Sequence, residues 1–336
     1  MSERPEPTAV THAARLSVAP MMDWTDRHCR AFHRALSRRA LLYTEMVTAA
    51  ALVRGGARHL LRFDPAEHPV ALQLGGADPA ELAEATAVGA AQGYAEVNLN
   101  VGCPSDRVRS GCFGAVLMER PALVADCARA MVAAAGPVPV TVKCRIGVDD
   151  QDPATVLPDL LHRLADAGVG RVAIHARKAW LQGLSPKENR EIPPLDHPLV
   201  HAMKRRFPRL HVSVNGGIDS LDAAEAHLRA VDGVMIGRAA YHDPAAILLR
   251  ADGRIFGAAD PRAGRTDAAL AMVPHIERHL AEGGRLAQVT RHMLGLFAGE
   301  PGARAWRRRL SEGGARPGAG VEVLHDALGA VTARAA

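Results

Sequence analysis

The chain has 336 residues, of which 48% are hydrophobic, 4% aromatic and 23% charged. That length exceeds the usual ~150-residue domain and suits an α/β barrel of ~250 residues with a small appendage. The net charge of +5 is too mild to define a partner, and with no apolar run of ~18 residues nothing is expected to span a membrane.

The polar N-terminus carries two prolines and no apolar core of a signal peptide, so residues 1–14 are expected to form a disordered lead-in. The five cysteines (Cys29, Cys103, Cys112, Cys127 and Cys144) form no CxxC pair and no zinc spacing with histidine. No metal is therefore expected, and reduced thiols in the cytoplasm are.

Short apolar runs then recur, each followed by a stretch of helical periodicity. They are Arg15–Pro20, Leu41–Met46, Pro69–Gly76, Glu96–Gly102, Pro139–Gly147, Arg171–Arg177, His211–Ile218 and Gly233–Ala239. Eight such units predict a (β/α)8 barrel over residues 15–250 rather than a doubly wound sheet. Asp78-Pro79 and Asp243-Pro244 read as helix N-caps followed by proline, and Gly168 and Gly170 as the close of the helix before the sixth strand. Two strand-to-helix loops are long, Cys103 to Arg120 and Lys178 to Pro198, and long loops on that face are commonly functional.

After Arg250 the strand-like runs stop. Residues 251–265 read as a linker and 266–336 as a helical bundle. Its helices are expected over Asp267–Glu282, Arg285–Ala298, Ala303–Glu312 and Val321–Ala333, separated by Gly283-Gly284, Pro301-Gly302 and Gly313-Gly314. Between Arg285 and Arg309 lie six arginines against one acid, Glu300. Arg304, Arg307 and Arg308 fall at i, i+3 and i+4, one helix face, which suits phosphates or is an ordinary solvated basic face.

The run Glu96–Pro104, EVNLNVGCP, carries the most chemistry. Val97 and Leu99 alternate with Asn98 and Asn100, a strand pattern that runs into Gly102-Cys103-Pro104, where no strand continues. Cys103 therefore leaves the strand beside two carboxamides, as a reactive thiol or as a small buried one. In such a barrel the C-terminal strand ends build the site. The other exits supply Pro20-Met21-Met22, Glu45, Gln73, Lys143 and Arg145, His175 and Arg177, Asn215-Gly216-Gly217, and Gly237-Arg238. The last two groups sit where barrels bind phosphate through backbone N–H groups, unless they are merely tight turns. Lys143, one of only four lysines, either emerges at the mouth as a cation suited to the anionic edge of a reduced flavin or pairs with a carboxylate such as Glu45.

Taken together, APMMDWTDRHCR, LLYTEM, HPVALQLGG, EVNLNVGCPSDRV, VTVKCRIG, VAIHARKAWLQGLSPKENREIPPL and VNGGI…DGVMIGRA resemble the bacterial tRNA-dihydrouridine synthases, most closely their A subfamily. The resemblance runs from Arg15 to the C-terminal helices. It implies an FMN-binding barrel, a helical tRNA-binding domain at 266–336, and NADPH as electron donor for reducing uridine in the D-loop, at positions 20 and 20a. It assigns Cys103 as the acid that protonates C5 while hydride goes to C6, a role a thiol suits because it is protonated near neutral pH.

The same resemblance carries FMN contacts to Pro20, Met21, Met22, Gln73, Lys143, His175, Asn215, Gly216, Gly217, Gly237 and Arg238. It carries tRNA contacts to Lys187, Arg190, Arg304 and Arg307. With the target base flipped into the pocket, Asn100 is expected to hydrogen-bond the uracil edge. Cys112, in a Gly-rich stretch, is the rival thiol, and Trp180 and Trp306 either stack on bases or anchor loops. No protein partner is implied and the chain is expected to be a monomer. The rival readings are a flavin reductase of a free small molecule and a non-catalytic RNA-binding barrel.

Overall fold

A computed structural model describes residues 9–105 and 113–335, with side chains through 331. Eight strands close into one parallel barrel in sequence order. They are β1 (Leu16–Val18), β2 (Leu41–Thr48), β3 (Val70–Gly75), β4 (Glu96–Val101), β5 (Val140–Arg145), β6 (Arg171–His175), β7 (His211–Asn215) and β8 (Gly233–Ile236). The seam joins β1 to β8, pairing Leu16 with Val234 and Val18 with Ile236. All eight expected strands are present. β3 and β4 are buried along their whole length, as parallel strands covered on both faces must be.

Helix starts follow the expected chemistry. The Asp78 carboxylate accepts from the N–H groups of Ala80 and Glu81, both at 2.9 Å, ahead of helix Pro79–Gln92. Asp243 likewise caps helix Pro244–Leu248 through Ala246 N–H at 3.1 Å. Gly168 takes a left-handed φ of 90° just past helix Pro153–Asp166, a conformation glycine adopts at little steric cost.

Four expectations need correction. Residues 9–13 of the lead-in form a short helix, and Ala13 and Ala14 are buried against the barrel floor. The linker begins as helix Ala251–Phe256. There the buried Asp252 accepts from Ser37 Oγ at 2.5 Å and from Arg38 N–H at 2.8 Å, which ties the segment to the barrel. The helix expected over Asp267–Glu282 is two, Arg265–Leu270 and Val273–Ala281, because Pro274 has no N–H with which to continue the ladder.

Similarly, Arg285–Ala298 is helical only over Leu286–Thr290 and continues as turns. At Gly295 the chain passes so close to the His242 carbonyl that a Cβ would lie 2.3 Å from it. Helices Ala303–Gly314 and Glu322–Ala335 complete the chain. One apolar core runs from the barrel shell, through Phe32 and Leu248, into Met272, Ile276, Val289, Met293 and Leu310. Among the described residues no helix is long and apolar enough to cross a membrane.

Candidate active site

Alternation along the strands decides what the barrel encloses. In β4, Val97, Leu99 and Val101 join the outer apolar shell, so Glu96, Asn98 and Asn100 share the opposite, inward face. The register then stacks polar rungs. Gln73, Asn98, Thr141 and Arg171 lie side by side on β3 to β6. Asn100 neighbours Lys143, and Arg145, His175 and Asn215 neighbour one another nearer the mouth.

These rungs are joined by a continuous hydrogen-bonded column. The N–H groups of Gly102 and Cys103 both donate to Asn100 Oδ1 at 3.0 Å. Asn100 Nδ2 donates to Gln73 Oε1, Gln73 Nε2 to Asn98 Oδ1, and Asn98 Nδ2 to Thr141 Oγ1, each at 2.8 Å. The Thr141 hydroxyl donates to Glu96 Oε1 at 2.5 Å, as does Tyr43 at 2.8 Å, and Arg171 pairs with the other carboxylate oxygen. The polarity is forced from both ends: a backbone N–H only donates and a carboxylate only accepts, so every amide between them has one allowed orientation.

The sequence expectation places Asn100 against the uracil. Its carbonyl is instead taken by the Cys103 turn and one amide proton by Gln73, which leaves a single N–H to offer. Glu96, Tyr43, Thr141 and Arg171 join the site without having been expected there. Their signal is present in the chain: the period of two in EVNLN puts Glu96 on the asparagine face, and that in TVK puts Thr141 with Lys143.

Cys103 is half-buried just above this column, with its Sγ 3.5 Å from Ser105 Oγ. Cys112 lies outside the described residues. Arg145 ties the β4 exit to the long loop after β6, donating to Gly102 O at 3.0 Å and to Lys178 O and Asn189 O at 2.9 Å. Asn189 is fully buried and bonds Trp180 in both directions. This holds the KENR turn while Lys187 and Arg190 on either side stay exposed.

Lys143 points into the mouth, partly exposed, and has no carboxylate partner among the described residues. Glu45 is engaged elsewhere, accepting from Asp23 N–H at 2.5 Å. Burial, and then the Arg145 guanidinium, pull the Lys143 ammonium down to about 8. Burial with Arg145, Lys143, Arg177 and Arg190 nearby holds His175 well below its ordinary value. Its ring is therefore neutral, and its Nδ1 is buried with no partner among the described residues.

Gly216 and Gly217 follow β7 with φ of 104° and 71°; a Cβ on the first would lie 3.1 Å from His175 Nε2, and on the second 2.4 Å from Leu195. Asn215 Nδ2 donates to Met235 O at 2.8 Å. Gly237 approaches Ala19 and Met21, Pro20 and Met21 are partly buried, and Met22 is exposed. The structure thus brings Gln73, Lys143, His175 and the two glycines to one mouth. An unpartnered imidazole nitrogen, a cation without a counter-ion and a side-chain-free cradle fit a flat, polar, anionic group such as a flavin phosphate and ring.

The Arg238 guanidinium pairs with Glu191 at 2.6 Å and reaches Arg190 O at 3.4 Å, which ties β8's exit to the KENR turn. Arg304 and Arg307 lie exposed on helix Ala303–Gly314. Trp306 is an anchor: it is fully buried, packs edge-on against Phe297 and donates to Met293 O at 2.9 Å. Trp180 is 47% exposed beside Asn189.

Fold and mouth together define an α/β-barrel protein that presents a thiol, an ammonium and an imidazole at the C-terminal ends of its strands. The chain belongs to the dihydrouridine synthase (Dus) family, whose profile matches residues 17–332. It is 56% identical to the tRNA-dihydrouridine(20/20a) synthase of Escherichia coli K12 over 97% of this chain and 94% of that relative. It is 55% identical to the protein so named from Vibrio cholerae, over 95% of this chain and 97% of that one. An old yellow enzyme homologue from Zymomonas mobilis shares the fold alone, with a TM-score of 0.52 and 13% identity over 68% of this chain and 86% of that one.

Proposed function

We propose that the chain reduces uridine to 5,6-dihydrouridine in the D-loop of tRNA, at positions 20 and 20a, using FMN and NADPH. The family, and the substrate in the names of relatives more than half identical, support this reading. The observation that carries it is the paired acceptance of the Gly102 and Cys103 N–H groups by Asn100 Oδ1, which holds a thiol at a mouth that also presents Lys143 and His175.

FMN would be held by Pro20, Met21, Met22, Gln73, Lys143, His175, Asn215, Gly216, Gly217, Gly237 and Arg238. When bound and reduced by NADPH it supplies hydride chemistry toward C6 of the uracil. Every other element is the chain's own. Asn100 orients the Cys103 turn and offers its remaining N–H to the base. Cys103 Sγ–H delivers the proton to C5 from the face opposite the hydride, as a positioned general acid. The loop after β6, tied to the β4 exit by Arg145, excludes water around an extruded base. Lys187, Arg190, Arg304 and Arg307 contact tRNA, with residues 266–336 acting as the tRNA-binding part of a cytoplasmic monomer.

The test is direct. Purified chain, unmodified tRNA and NADPH are incubated, and the tRNA is mapped by mass spectrometry. A gain of two hydrogens at positions 20 and 20a, from a yellow protein with a flavin absorption band, is the expected result. A colourless protein with unmodified tRNA overturns the reading.

A further inference from the structure

A second cavity, of about 950 Å3, lies between the first turn of helix Arg27–Leu36 and the Gly283-Gly284-Arg285 turn. Asp23-Trp24-Thr25 alone separates Asp26 from the β1-exit run Pro20-Met21-Met22. Four arginines line the cavity, Arg27, Arg62, Arg285 and Arg291. Two carboxylates also line it. Asp26 is neutralised by Arg291 at 2.6 Å, and Glu282 is exposed. Arg27, Arg62 and Arg285 have no carboxylate partner among the described residues.

Two histidines also line the wall. Arg27 Nη2 lies 3.4 Å from His279 Nδ1, and His279 Nε2 bonds Gln288 Oε1 at 2.9 Å. Burial is the main cause that holds His28 down to about 3. The arginines carry charge that does not titrate in the physiological range. The wall is also rigid. Gly283 has a left-handed φ of 83°, and a Cβ on Gly284 would lie 2.1 Å from the His279 ring, so this turn closes over His279 only with glycine.

Three arginines without a carboxylate partner around one hollow suit the oxygens of a phosphate, which a guanidinium binds through paired N–H groups. We propose that this cavity binds a backbone phosphodiester of the nucleic acid whose target base enters the barrel mouth. The proposal rests on the tRNA reading above and adds an anchoring site to it, separate from Lys187, Arg190, Arg304 and Arg307.

The test uses the full chain with R62E/R285E and, in case charge reversal perturbs folding, R62Q/R285Q, both checked by thermal melting. tRNA affinity is measured from 50 to 300 mM KCl. The expected result is at least tenfold weaker binding at low salt, with the slope of log K against log salt reduced by roughly 0.7–0.9 for each phosphate no longer neutralised. Folded variants that keep the wild-type affinity and slope overturn the proposal while leaving the tRNA reading intact. A wild-type chain that binds no tRNA overturns both. Titration with inorganic phosphate at matched ionic strength separates the remaining source: if the variants lose stabilisation by phosphate yet keep tRNA affinity, the cavity serves a free phosphate compound and the nucleic-acid assignment fails.

Discussion

Thr141 gives its hydroxyl proton to Glu96 at 2.5 Å on the barrel floor, and takes a hydrogen bond from Asn98 at 2.8 Å on the other side. This makes Thr141 the link through which a buried carboxylate dictates the orientation of three amides, the last of which holds the Cys103 turn. Thr141→Val keeps the shape and removes the link to Glu96, leaving one buried Asn98 amide proton unsatisfied, at a cost of about 1–3 kcal/mol. Turnover should fall roughly tenfold, an effect of about 1.4 kcal/mol on the barrier, and the rate of Cys103 alkylation should change. Thr141→Ser should restore both. Equal behaviour of the Val and Ser variants would remove the column from the mechanism.

Replacing Cys103 with Ala deletes the proposed acid without touching the cradle. The variant should stay yellow and be reduced by NADPH at the wild-type rate, yet form dihydrouridine about 10²–10⁴-fold more slowly. Single-turnover assays separate the two half-reactions. Normal product formation would sink the assignment.

Lys143 costs the empty barrel stability. Its folded pKa of about 8 lies below the unfolded value of 10.5. The unfolded chain therefore binds more protons between those values, and stability from this group rises with pH across that window. Lys143→Met should stabilise the flavin-free chain at pH 7 by something on the order of 1–3 kcal/mol while weakening flavin binding. Urea titration of the flavin-free protein, with and without added FMN, reads both effects; a destabilised variant contradicts the argument.

His33, fully buried in helix Arg27–Leu36, is held down to about 3, first by burial and then by His292 and Arg34. Its folded value lies below its unfolded one, so its contribution is intact above about pH 6.5 and declines as pH falls toward 3. Between pH 7 and pH 5 this loss is about 1–2 kcal/mol. His33→Asn, which cannot titrate, should show a shallower fall in urea midpoint over that interval than the parent chain. Parallel curves would contradict it.

Charge reversal at Arg304 and Arg307 should weaken tRNA binding and flatten its salt dependence by about 0.7–0.9 for each phosphate released from its arginine, with the flavin spectrum unchanged. Filter binding across a salt series checks this, and unaltered affinity removes that helix face from the interface.

The linear chain declared the barrel and most of its mouth. Parallel strands buried on both faces must be short apolar runs, and loop-bound glycines, asparagines and a thiol cannot hide in such runs, so Cys103, Gln73, Lys143, His175 and Asn215-Gly216-Gly217 stood out at their exits. Only folding decided what those residues touch. Hydrogen-bond direction depends on register between strands far apart in sequence, so the line from Glu96 through Thr141 to Asn100, and the inward turn of Asn100 itself, could not be read from any one segment. Pro274 was legible in the chain, but other helix ends after residue 250 were decided in space, by the close pass of Gly295 against His242 and by Asp252 reaching back to Ser37. The arginine-lined hollow joins residues 27, 62 and 285, positions that share no local pattern and meet only because helices after the barrel pack against helix Arg27–Leu36.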